Sequence, residues 1–186
     1  DLSLDDAADL VPYLGSLGVT HLYLSPILQA APGSTHGYDV TDHDTVSAEL
    51  GGEDALRRLA ETAHAAGLGL ILDIVPNHMA VPTPAWHNRA LWSVLAEGPQ
   101  SPYADWFDVD WSAGDGAVLM PVLGARIGEV LARGDLTLSD GQLHYYDHVF
   151  PVRPGTESLP LAELVERQHY RLAYWRVADE ELNYRR

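Results

Sequence analysis

Twice within the first 75 residues, an amphipathic stretch, a glycine and an apolar β-type run follow one another. That ordered repeat limits the fold more than any other feature of the chain. Ala7, Leu10, Val11, Leu14 and Leu17 recur at helical spacing. Ser3 and Asp6 resemble a capping box ahead of them, with Asp in place of the usual Glu, and Gly18 is a helix stop. Val19-Thr20-His21-Leu22-Tyr23-Leu24 then reads as a strand, ended by Ser25-Pro26. In the second round Leu56, Leu59, Ala60 and Ala63 mark one face of a helix over 53–66, and Gly67 closes it. Leu68 to Val75 is nearly continuous apolar sequence, the pattern of a strand buried on both faces of a parallel sheet. Strand, crossover helix and strand make a βαβ unit, so the fold class is α/β with a parallel sheet, open or closed. Both strands run in the same sense, and their carboxyl ends deliver Ser25 onward and Asp73 onward to one face.

Between these strands, residues 25–50 read as a long loop rich in Gly, Ser, Thr, His and Asp, and loops of that length are usually functional. After Val75 the regularity fails, and proline and tryptophan become frequent. Within this stretch 85–96 reads as a short helix and 118–123 as a strand, and 136–146 as a hairpin turning at Asp140-Gly141. From about Leu159 the spacing of Leu161, Leu164, Val165, Leu172, Trp175 and Leu182 predicts a helix. The expected organisation is three segments: βα units over 1–80, an inserted subdomain over 81–158, and a helix over 159–186.

Charge and composition narrow the function. The net charge of −16, from 27 acidic and 11 basic residues, repels phosphate backbones and anionic lipid, so neither nucleic acid nor a membrane surface is expected as a partner. A neutral ligand such as a carbohydrate is unaffected. The chain has no cysteine, which excludes disulfides, thiolate metal sites and thiol nucleophiles and fits a cytoplasmic location. No apolar run approaches the ~20 residues of a membrane span. The acidic opening, Asp1 to Asp6, is no signal peptide and lacks an initiator methionine, so the chain is expected to begin inside a longer polypeptide or after processing. With two core strands legible against the ~250 residues of a closed eight-stranded barrel, a fragment is expected.

Two clusters follow the core strands, where α/β folds place their sites: Gly33-Ser34-Thr35-His36-Gly37-Tyr38-Asp39-Val40-Thr41-Asp42 and Asp73-Ile74-Val75-Pro76-Asn77-His78. Asp73 interrupts an apolar strand, so it reads as a buried carboxylate. It either caps the following turn or acts in a site where an arginine from another strand holds it. Tyr38 serves as loop packing or as a ring covering the apolar face of a sugar, with His36 and Asp39 binding hydroxyls. His78, beside Asn77, is a packing or surface histidine, or faces a ligand. Asp39, Asp42, His43 and Asp44 offer hard metal ligands, as do Asp73, Asn77 and His78. The spacing matches neither HExxH nor an EF-hand, so no metal and no cofactor is expected. GxSxG, P-loop and GxGxxG motifs are absent as well.

Both clusters resemble the α-amylase superfamily. Asp73 to His78 looks like its first conserved block, which follows the third barrel strand, and His36 to Asp42 resembles the loop after the second. Within that superfamily the maltooligosyltrehalose synthases are similar along nearly the whole chain. The similar stretches are Tyr23 to Leu28, Pro32 to Asp39, Glu49-Leu50-Gly51-Gly52, Asn77-His78-Met79-Ala80, Tyr103 to Asp108 and Glu166 to Arg176. The resemblance implies a partial (β/α)8 TIM barrel with a loop-rich subdomain inserted after the third barrel strand. It also implies intramolecular transglucosylation of a maltooligosaccharide, in which the reducing-end α-1,4 linkage becomes α,α-1,1. On the same basis Tyr38 stacks on the sugar, while His36, Asp39 and His78 contact it. Asp73 orients an arginine near the nucleophile, and Asn77 braces the loop or binds calcium. The nucleophilic Asp and acid/base Glu belong to later strands, so no catalytic residue is expected among these 186, and the chain alone is expected to be inactive. Its partners are then the glucan and the remainder of its own polypeptide. The rival readings are another glucan hydrolase or transferase of the superfamily, or a non-catalytic carbohydrate-binding module.

Overall fold

Ser3 starts the first helix, α1 (Leu4–Ser16), with a complete capping box: its hydroxyl accepts from Asp6 N at 3.1 Å and its N–H donates to Asp6 Oδ2 at 2.9 Å. Aspartate thus does the work usually given to glutamate. In this computed structural model, residues 2–184 are described. They fall into two units, Asp1–Ala80 and Val81–Arg186.

In the first unit, α1 is followed by β1 (His21–Leu24), β2 (Leu28–Ala30), β3 (Val40–Val46), α2 (Gly52–Ala65) and β4 (Gly69–Leu72). Strands β1 and β4 pair in parallel, from His21 opposite Gly69 to Leu24 opposite Leu72. This is the βαβ pairing read from the apolar periodicity. Leu22, Leu59, Ala63, Leu68 and Val11 form the core between strand pair and helices, with Leu24 and Leu70 packed against it. Gly51 enters α2 at φ 106°, and a Cβ there would lie 2.7 Å from the Ala55 Cβ, so glycine is required.

Two expectations are corrected here. Residues 25–50 are not structureless: β2 and β3 form an irregular antiparallel ribbon across that stretch. Gln29 supports it by accepting from Ala48 N at 3.0 Å. Residues 68–75 are not buried on both faces either. Leu68 is buried, but Ile71, Leu72 and Ile74 are exposed, as is Tyr23 opposite Ile71. Strand side chains alternate between faces, so Ile71 and Leu72 point to opposite sides, and toward the carboxyl end of β4 neither side is covered.

The second unit holds α3 (Arg89–Glu97), β5 (Val118–Leu123), α4 (Ile127–Arg133), β6 (Leu136–Ser139), β7 (Gln142–Tyr145), β8 (His148–Pro151), α5 (Leu161–Leu164), β9 (Tyr170–Tyr174) and α6 (Ala178–Glu181). The hairpin turns at Asp140-Gly141, with φ 50° and 71°, the left-handed pair that a two-residue turn needs. Strand β8 extends it to three antiparallel strands. The helix expected from Leu159 onward is not found. Helix α5 spans four residues, and β9 then pairs in parallel with β5. The alternation in Tyr170-Arg171-Leu172, buried, exposed, buried, is the strand signal that the wider helical spacing masked. Val94, Leu95, Leu123, Leu143, Phe150 and Leu164 form the core. Among the described residues no helix is long and apolar enough to cross a membrane.

Candidate active-site face

Parallel pairing sets the geometry of the first unit's site. Asp73 follows β4 directly, and its N–H donates to Leu24 O at 3.0 Å, so the ladder continues one residue past the end of β4. The Asp73 carboxylate is half-buried rather than enclosed, which corrects the expectation of a buried group. Among the described residues, the groups that hold it are two phenols. Tyr23 OH donates to Oδ2 at 2.7 Å, and Tyr38 OH donates to the same oxygen at 2.8 Å. These bonds, Tyr23's first, hold the Asp73 carboxyl below the usual carboxylate range. The carboxylate in turn raises both phenols, so the protons stay on the tyrosines. Tyr23 went unrecognised as a site residue in the sequence. Its alternation with buried Leu22 places it on the uncovered face, and that signal was available.

Tyr38 reaches Asp73 because its loop is tightly cross-linked. Ala31 N donates to Asp39 O at 2.9 Å, and the Ser34 hydroxyl donates to Asp39 Oδ1 while accepting from Gly37 N at 3.1 Å. Gly37 sits at φ 77°, with the Pro26 carbonyl oxygen 2.6 Å from where a Cβ would be. Any side chain there would push the loop off Pro26. The His36 ring stacks on Tyr38 at 5.9 Å between centroids, and its Nδ1 accepts from Tyr38 N at 3.1 Å. In that state the ring's donor is Nε2–H. The 3.6 Å approach of Nδ1 to Asp39 Oδ1 is too long to count as a hydrogen bond.

The fold therefore brings together Tyr38, Asp73, His36 and Asp39. His78 and Asn77 are exposed and bond each other, Nδ1 to Oδ1, at 3.0 Å. The brace on the loop after β4 is His43, whose Nε2 donates to Val75 O at 2.8 Å, together with Ala80 N donating to Val40 O at 2.7 Å. Asp42 accepts from Asp44 N and Thr45 Oγ1 in a local turn. Among the described residues no group of three or more His, Asp or Glu side chains could hold a metal ion.

Residues 4–150 match the α-amylase catalytic domain. The chain belongs to the α-amylase family. It is 49% identical over 173 residues to a Mycobacterium tuberculosis protein described as a putative maltooligosyl trehalose synthase, covering 92% of this chain and 22% of that one. The solved maltooligosyltrehalose synthase of Arthrobacter ramosus is 48% identical, with a TM-score of 0.92 over 100% of this chain and 24% of its own. Neopullulanase 2 of Thermoactinomyces vulgaris is 40% identical over 58% of this chain and 17% of its own. The chain thus spans about a quarter or less of the length of these α-amylase-family relatives. Its mixed α/β architecture is that of the family's catalytic domain.

Proposed function

We propose that this chain is part of a maltooligosyltrehalose synthase, an intramolecular transglucosylase that turns the reducing-end α-1,4 linkage of a maltooligosaccharide into an α,α-1,1 linkage. One observation carries the reading: the likeness to the synthases runs through 92–100% of the chain, whereas the neopullulanase matches over 58%. We read the first unit as neighbouring βα units of a (β/α)8 barrel, with the uncovered face of β1 and β4 turned toward the barrel interior. The segment 81–158 is then a subdomain inserted after the third barrel strand, and 159–186 leads back to the barrel. Absence of cysteine supports a cytoplasmic setting.

On this reading Tyr38 covers the apolar face of the sugar at the cleavage site. His36, Asp39 and His78 bind its hydroxyls, Asp73 supports the site, and Asn77 supports it through its bond to His78. The chemistry needs a nucleophilic carboxylate and an acid about 5–5.5 Å apart for retention, and we assign neither to these residues. The acid protonates the departing O4 of the reducing-end glucose while the nucleophile takes the glucosyl C1. The released glucose turns, its anomeric hydroxyl attacks C1, and its proton returns to the base. No water is consumed, so the site has to hold that glucose and keep water out while it turns.

Incubation of the full-length enzyme with maltopentaose tests the proposal. Loss of reducing ends without chain shortening is expected, with a non-reducing trehaloside as product. Accumulation of shorter reducing sugars would instead assign the protein to the hydrolases of the same family.

A further inference from the structure

We propose that Tyr23 is a positioning residue of this site: its hydroxyl holds the Asp73 carboxylate, and through that carboxylate it sets the ring of Tyr38 against the sugar. The inference rests on the function proposed above.

Tyr38 is 45% exposed, so packing does not immobilise its ring. At its near end Tyr38 N is bonded to His36, and at its far end the hydroxyl donates to Asp73 Oδ2. Beyond its stack on the His36 ring, the ring is placed only as well as that oxygen is placed. A carboxylate on its own has a broad terminal torsion. The Tyr23 hydroxyl reaches the same oxygen at 2.7 Å from β1, whose backbone is locked to β4 by four register pairs. Tyr23 therefore links a loop residue to a rigid strand, the element class that holds site geometry best. Its ring is 66% exposed and adds little to the core, so the hydroxyl is the group with something to do.

Tyr23→Phe in the full-length enzyme removes that hydroxyl and leaves the ring. The expected result is an unchanged melting temperature and a fall of about tenfold in kcat for maltopentaose, with a smaller change in KM. The share of free glucose among the products should rise, because a poorly held sugar lets water compete. The same change in an Asp73→Ala background should cost nothing further, since the oxygen that the Tyr23 hydroxyl positions is then gone. Wild-type turnover and product ratio in Tyr23→Phe would overturn the inference. Losses that simply multiply with those of Asp73→Ala would also overturn it, as would an activity loss that tracks a lowered melting temperature. Product identity tests the transglucosylase reading. The ratio of variant to wild-type maltopentaose consumption tests Tyr23 whichever product forms, so the two fail separately.

Discussion

The two units use polar side chains in opposite ways. In the first, Asp73, Tyr23 and Tyr38 meet on an accessible face and bond side chain to side chain. In the second, the polar groups that matter are buried amides bonded to backbone. Asn183, 6% exposed, donates to the carbonyls of Asp110, Ala113 and Ala117 and accepts from Leu119 N at 3.0 Å. Gln168, 7% exposed, accepts from Arg153 N at 2.7 Å and donates to Leu164 O at 2.7 Å and to Thr156 Oγ1. A buried backbone group needs a partner, and in a unit built of short elements these amides supply what longer helices and sheets would. Accessible side-chain networks add little stability and are free to serve a ligand. Buried amide clamps hold loops in place and offer a ligand nothing.

That contrast is broken if function and stability respond to the same substitutions. The largest effect is expected from Asn183→Ala, which leaves three carbonyls and one N–H without their amide: roughly 3 kcal/mol of destabilisation by chemical denaturation. Tyr38→Ala in the full-length enzyme should cost about 100-fold in turnover through misplacement of the sugar, with an unfolding midpoint close to wild type. If instead the midpoint falls and the kinetics stay wild-type, Tyr38 is a packing residue. Ser3→Ala removes the α1 cap and should cost about 1 kcal/mol, a loss read by denaturation that leaves kcat untouched. The smallest effect sharpens the comparison through pH. The Asp73 carboxyl is lowered by the bonds from Tyr23 and Tyr38, so its contribution is present above the ordinary carboxylate value and is lost as pH falls through the lowered one. The stability difference between wild type and Asp73→Asn should therefore be constant near neutrality and disappear in acid. A difference that persists unchanged at low pH would mean that the carboxylate charge plays no part.

Local chemistry and period-driven patterns were legible in the residues alone. The capping box at Ser3, the glycine stops, the parallel strand pair and the Asp140-Gly141 hairpin depend on neighbours a few residues apart, or on an apolar face that any core would demand. The two polar clusters were legible as well, because each stands at a strand's carboxyl end. Tertiary structure decided which groups meet. The bond from Tyr23 to Asp73 spans 50 residues and that from Tyr38 spans 35, and no spacing rule connects them. It also decided that Tyr170–Tyr174 is a strand, since β5 offers a partner 52 residues earlier and pairing outweighs a weak helical period. How far Asp73 is buried followed the same logic. A sequence states that a strand is apolar, but only the packing around it determines how many of its faces are covered.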